Sequence, residues 1–171
     1  MTPEGLAAAA KAAAGALGFN SCGVTDLAST PTATAALDAW LAAGRHGEMR
    51  YMERQASTRR DPGRGWPMAR SAVVVLHNYF QHTADPAPGR GRVARYALGD
   101  DYHAVIRAKL AALGEELVGA AGTGAYRAYV DAGPLPEREL ARRAGLGWFG
   151  KNTMLIHPGL GSFVFIGVLL T

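Results

Sequence analysis

An α/β fold, one sheet with helices packed around it, is predicted by three features of the sequence. Apolar runs rich in β-branched residues alternate with stretches of helical periodicity. The run SAVVVLHNYF at 71–80 is continuously apolar, as a strand covered on both faces must be. Between the runs lie caps and turn residues that separate each element from the next. At 171 residues the chain suits a single domain spanning 1–171.

The elements follow in order. Thr2 can cap a helix over 3–17, with Pro3 at its first position, Glu4 facing the positive end of the dipole and Gly18 as the stop. Residues 19–25 read as a short strand. TATAALDAWLAA at 32–43 places Leu37, Trp40 and Leu41 on one helical face, and a third short helix is expected over 48–55. RRDPGRGWPMARS is turn-rich and basic, and the 71–80 strand follows it. HTADPAPGRGR, with two prolines and two glycines, is a loop, after which Val93 to Ala97 is expected to be extended. Asp100 or Asp101 caps a long helix that runs through Leu117, with Val105, Ile106, Leu110, Leu113 and Leu117 at helical spacing. Beyond it come a strand at 126–130, a helix at 137–143 ended by Gly145, and strands at 153–156 and 163–170. The last run is apolar to its final residue, a pattern expected of a chain cut at a domain boundary.

Composition excludes several classes. The hydrophobic fraction is 49% and the charged fraction 19%, which is globular, and the longest apolar run is far short of the roughly 20 residues needed to cross a bilayer. The start of the chain lacks the basic flank and Leu-rich core of a secretory signal, so a cytoplasmic protein without membrane contact is expected. A single cysteine, Cys22, permits neither an internal disulfide nor a thiolate metal site. The net charge is +4, and fifteen of the 18 basic residues are arginine, whose planar fork suits phosphate.

The segment YVDAGPLPERELARRAGLGWFGKNTMLI concentrates the chemistry. Asp131 ends an apolar strand and precedes a turn, where sheet proteins place reactive groups. Flanked by Val130 and Tyr129, it is expected to be desolvated and held as a proton donor; capping the turn is its plainer role. Gly145, Gly147 and Gly150 follow a helix and lack the strand context of a dinucleotide fingerprint, so they read as a backbone nest or a Gly-rich turn.

DAGPLPERELARRAGLGWFGKNTMLIHPGLGSFVFIGVLLT closely resembles the N-terminal half of the epoxyqueuosine reductases, which are cobalamin-dependent iron–sulfur enzymes acting on transfer RNA. HGEMRYMER, RRDPGRGWPMARSAVVVLHNYF and ARYALGDDYHAVIRAKL agree with that family in order and spacing. The resemblance implies a nitroreductase-like, reductive-dehalogenase-like cobalamin-binding domain, a mixed sheet flanked by helices, that holds base-off cobalamin. It implies reduction of epoxyqueuosine to queuosine in the anticodon stem-loop, with Asp131 as the proton donor. Arg59, Ala94, Tyr102, His103, Lys151, Asn152, Thr153 and Ser162 are implied cofactor contacts, with His103 hydrogen bonding or packing and not ligating metal. Arg138, Arg142 and Arg143 are the implied RNA contacts.

The family carries Ser or Thr where this chain has Ala132, and Leu where it has Pro136. The ferredoxin-like domain with two 4Fe–4S clusters, through which an electron donor acts, lies beyond the matched half. The expectation is therefore a monomeric fragment without turnover of its own. A non-catalytic cobalamin- or transfer-RNA-binding module and a flavin-dependent nitroreductase-like enzyme are the alternatives.

Overall fold

The computed structural model describes residues 2–28, 30–84, 87–122 and 124–171. Helix α1 (Pro3–Ala16) begins as expected, with Thr2 Oγ1 accepting from the Gly5 N–H at 3.1 Å. It leads into β1 (Ser21–Asp26). The link to β2 (Ser71–Asn78) carries α2 (Pro31–Ala42), α3 (Arg50–Arg54), α4 (Ala56–Arg60) and a 3-10 turn at Pro62–Gly65. Helix α5 (Tyr102–Ala121) is capped by Asp101 and ended by Gly122 at φ 75°. After β3 (Arg127–Tyr129) come α6 (Glu137–Arg143), a small hairpin of β4 (Trp148–Phe149) and β5 (Leu155–Ile156), and finally β6 (Val164–Leu170).

The main sheet has the order β1-β2-β6-β3, and every pairing in it is antiparallel. This corrects the mixed sheet that was expected: an apolar run shows that a strand is covered but carries no mark of its direction. The apolar end of the sequence is β6, which lies between β2 and β3 with Val168 to Leu170 fully buried.

Two cores flank the sheet, and the alternation along β2 divides its side chains between them. Val73 and Val75 face Ala10, Ala13 and Ala14 of α1 and Ile106, Leu110 and Leu113 of α5. Ala72, Val74 and Leu76 face Leu140 and Ala141 of α6, together with Leu135, Leu146 and Leu155. That period of two on a doubly covered strand explains the unbroken apolar run. Helix α6 lies close on the sheet, because at Gly23 of β1 a Cβ would collide with the Ala144 carbonyl.

Two local expectations need correction. Residues 93–97 form no strand: Arg95–Ala97 is a 3-10 turn, Val93 is 63% exposed, and none of the strands among the described residues pairs with the segment. What holds the segment is Arg95, whose guanidinium stands over Phe80 and Phe163 at 4.8 and 5.2 Å. The helix expected at 48–55 is the shorter α3, and a second short helix, α4, follows it across Gln55 and runs into the first two residues of the stretch read as turns. Helix α2 keeps Leu37, Trp40 and Leu41 on its inner face, yet none of its residues is fully buried.

Candidate functional site

Strand β3 delivers the chain to Asp131 through Val130, which is buried, and the chain reverses at once. Asp131 takes φ 57°, in the left-handed region that Asp tolerates better than most residues. Gly133 then passes so close to the Tyr129 ring that a Cβ would touch it at 2.5 Å, and Leu135 plugs into the core before Pro136 leads into α6. The loop is therefore pinned at both ends.

Three side chains converge on Asp131. The Tyr102 hydroxyl donates to Oδ2 at 2.6 Å, and His103 Nε2 lies 3.9 Å from the same oxygen. Glu137 Oε1 accepts the Asp131 backbone N–H at 2.8 Å. The first turn of α5 sets the two aromatic groups. Tyr102 is stacked between Phe165, at 3.9 Å and 5°, and His103, at 4.0 Å and 28°. Asp101 Oδ1 accepts the His103 backbone N–H at 3.0 Å and lies 2.8 Å from Nδ1. A carboxylate can only accept, so Nδ1 carries the proton and Nε2 is left facing Asp131.

The electrostatics follow from this packing. Burial pushes the Tyr102 hydroxyl upward, reinforced by the hydrogen bond to Asp131, so Tyr102 stays a donor across the neutral range. The hydrogen bonds from His103 hold Asp101 below the usual carboxylate range. Burial lifts Glu137 from 4.5 to about 7; the Asp131 N–H opposes this, the Asp131 charge adds to it, and Arg59 and Arg138 oppose it.

The expected desolvation of Asp131 is corrected, since its side chain is 66% exposed. An apolar strand before a residue does not enclose it when the next bond turns outward. The enclosed carboxyl is Glu137, which sequence reasoning passed over. Its signal was available only as a Glu at the first position of a helix directly behind the turn.

Asp131, Glu137, Arg59 and Arg138 line an open cavity of about 730 Å³, with Leu37, Tyr51, Met52 and Phe149 as its apolar wall. Arg59 lines it while bonded to the loop itself: Nη1 donates to the Leu135 carbonyl at 3.3 Å, and Nη2 to the Gly133 carbonyl and Gln55 Oε1 at 3.2 Å each. Arg138 reaches across to the Thr153 carbonyl.

The remaining expected residues lie elsewhere. Lys151, Asn152 and Thr153 are exposed between β4 and β5, where Thr153 takes φ 66° and Asn152 Oδ1 accepts from the Met154 N–H at 3.1 Å. Ser162 is half-buried ahead of β6. Ala94 borders a separate opening of about 600 Å³ beside Arg95, Leu98 and Phe163.

The three arginines of α6 do not form one face. Arg142 grips the buried Glu139 with Nε at 2.9 Å and Nη2 at 2.7 Å, whereas Arg143, 17% exposed, bonds Asp26 and the Ala28 carbonyl. At about 100° per residue, Arg143 points well away from Arg138, so the continuous basic face expected there is corrected. Gly145 and Gly147, at φ 77° and 148°, form the Gly-rich turn, and a side chain on Gly147 would collide with the Ile156 carbonyl. Cys22 is half-buried and unpaired, its thiol pushed up to about 11 by burial, which makes it a packing residue. Among the described residues no cluster of His, Cys, Asp or Glu could hold a metal ion, and no helix is long and apolar enough to cross a membrane.

Comparison with known proteins adds the context. A family model described as "Epoxyqueuosine reductase QueG, DUF1730" matches residues 59–132. The epoxyqueuosine reductase of Salmonella typhimurium is 41% identical over 162 residues, covering 90% of this chain and 41% of the relative. That of Gloeobacter violaceus is 43% identical over 166 residues, covering 96% of this chain and 51% of the relative. The chain thus spans about half the length of the curated relatives it matches. Its fold matches a crystal structure of epoxyqueuosine reductase with an epoxyqueuosine-modified tRNA-Tyr stem loop, at TM-score 0.78 and 26% identity, over 98% of this chain and 44% of that one.

Proposed function

We propose that this chain, similar along nearly its whole length to epoxyqueuosine reductases, is the N-terminal catalytic half of such an enzyme and acts on epoxyqueuosine in the anticodon stem-loop of a transfer RNA. The observation that supports this reading best is Asp131, exposed at the rim of the 730 Å³ cavity with its carboxyl fixed by Tyr102 and its backbone by Glu137. The reaction takes in two electrons and two protons, opens the epoxide to a carbon–carbon double bond and releases water. Asp131 supplies a proton to the departing oxygen. Tyr102 keeps the carboxyl aimed, and His103, its Nδ1–H held by Asp101, keeps Nε2 3.9 Å from the same oxygen and so borders the acid without donating to it.

The cavity suits a cobalamin cofactor in chemical character. A corrin has flat apolar faces and a rim of amides, and the cavity joins an apolar wall of Leu37, Met52 and Phe149 to polar groups at Arg138, Glu137 and Asp131. Tyr102 and His103, beside Asp131, are the proposed contacts next to it, and Ala94, Ser162 and the hairpin residues Lys151, Asn152 and Thr153, which lie outside the cavity lining, are proposed contacts for the cofactor's peripheral side chains. When bound, cobalamin supplies the low-potential two-electron chemistry. The electrons come from outside this chain, since one cysteine cannot hold an iron–sulfur cluster. Arg138, free at the rim apart from its bond to Thr153, is the proposed phosphate contact, joined by the partly exposed Arg142.

Titration of the purified chain with cob(II)alamin, followed by visible absorption, tests the cofactor. A base-off spectrum at stoichiometric loading supports the reading. Purification with bound yellow flavin and no corrin uptake supports the nitroreductase-like alternative instead. Joined to the iron–sulfur half of a relative, the loaded chain should convert an epoxyqueuosine stem-loop to queuosine, whereas on its own it should not turn over with flavodoxin.

A further inference from the structure

The 131–136 loop has almost no regular backbone pairing of its own. Its internal bonds are two short turns, from Ala132 N–H to the Val130 carbonyl at 2.5 Å and from Gly133 N–H to the Asp131 carbonyl at 3.0 Å. Pro134 and Pro136 offer no N–H, and Asp131 stands in the left-handed region. Something outside the loop must select this conformation.

Arg59 does so from 74 and 76 residues away in sequence, donating to the Gly133 and Leu135 carbonyls. Gln55, one turn earlier on the same side, accepts from Nη2 and fixes the guanidinium plane. A guanidinium presents its donors in a rigid fork, so two carbonyls of one loop are held in fixed relation to each other. The cation also faces Glu137, whose carboxylate takes the Asp131 N–H. Arg59 and Glu137 thus grip the loop at three backbone groups, Asp131, Gly133 and Leu135, with opposite charges that attract each other. The sequence reading assigned Arg59 to the cofactor. Its terminal donors are instead directed to the protein.

We propose that Arg59 is a positioning residue: it latches the 131–136 loop and thereby determines where the Asp131 carboxyl stands. The latch deepens the proposed function and rests on it only for its catalytic consequence; the structural part stands without it. Release of Arg59 frees the loop to leave the cavity, carrying Asp131 away from Tyr102, while β2 and α5 keep their packing. Lysine at this position is no substitute, because a single ammonium cannot span two carbonyls and the Gln55 oxygen in one plane.

Hydrogen exchange followed by mass spectrometry on the chain itself tests this. In Arg59→Met, and more mildly in Gln55→Ala, exchange at Asp131, Ala132 and Gly133 should accelerate, by about tenfold or more for Arg59→Met, as loss of a charged hydrogen bond implies. Protection of β2 and α5 should be unchanged. Arg59→Lys should behave like Arg59→Met. Unchanged exchange in the loop of Arg59→Met, or full protection in Arg59→Lys, would overturn the latch. Should Arg59→Met fail to fold, Gln55→Ala alone decides, with unchanged loop exchange counting against it. In an enzyme completed with an iron–sulfur half, Arg59→Met should lower the turnover number while leaving the substrate concentration for half-saturation near normal. If the loop loosens but neither Arg59→Met nor Asp131→Asn alters turnover, the latch stands and the role given to Asp131 falls.

Discussion

Replacing Glu137 by Gln removes the one carboxyl of the site that burial has pushed far from its ordinary range. Below pH 4.5 Glu137 is protonated in both folded and unfolded chains, and above about pH 7 it is ionised in both. Between those limits the folded chain holds a proton that the unfolded chain has released, so its contribution to stability falls as pH rises through the window. A rise from 4.5 to about 7, at about 1.4 kcal/mol per tenfold, sets a ceiling of about 3.5 kcal/mol, and residual water contact at this half-buried group reduces the expectation to about 1–2 kcal/mol. Glutamine keeps an oxygen that can accept the Asp131 N–H but has no proton to lose. Urea unfolding followed by tryptophan fluorescence, run from pH 4.5 to 8 on both proteins, isolates the effect as a difference in which the other titrating groups cancel. Wild type should lose about 1–2 kcal/mol relative to Glu137→Gln across that range. A difference that stays flat with pH would refute the reasoning, and one that rises would reverse its sign.

Other substitutions test separate parts of the site. Arg142→Ala takes two hydrogen bonds from the buried Glu139 and leaves it the one from the Thr30 side chain, so unfolding free energy should fall by about 1–3 kcal/mol in the same urea assay. Arg138→Ala should weaken binding of an anticodon stem-loop and reduce the slope of log affinity against log salt by about one, the mark of one lost phosphate contact. Titrations by fluorescence anisotropy at several salt concentrations would show it.

Where a rule acts within a few residues, the sequence displayed the structure. Thr2-Pro3 at α1, Asp101 at α5 and the 137–143 helix stand as expected because caps and periodicity are local. Strand direction is not local: β1 and β2 are separated by three helices, and nothing in either strand announces that they run antiparallel. The candidate site divides the same way. Asp131 was visible as a carboxylate at a strand end, and Tyr102 and His103 as side chains at a helix start. Their meeting across 29 residues, and the reach of Arg59 across 74, depend on how the sheet is assembled. The arginines of α6 misled because charge is read from sequence but its partners are not, and Arg143 had an Asp26 waiting 117 residues away.

The central claim is that Asp131 is the acid of a reductive deoxygenation, and single-turnover kinetics measure it most directly. The wild-type chain and Asp131→Asn, each completed with an iron–sulfur half and loaded equally with cobalamin, would be mixed with an epoxyqueuosine stem-loop and the queuosine formed counted over time. Asparagine keeps the size and can still accept from Tyr102, so cobalamin spectrum and RNA affinity should hold while the rate falls about a hundredfold to ten-thousandfold, the usual contribution of a general acid. A near-normal rate in Asp131→Asn, with cofactor and RNA bound, would contradict the account.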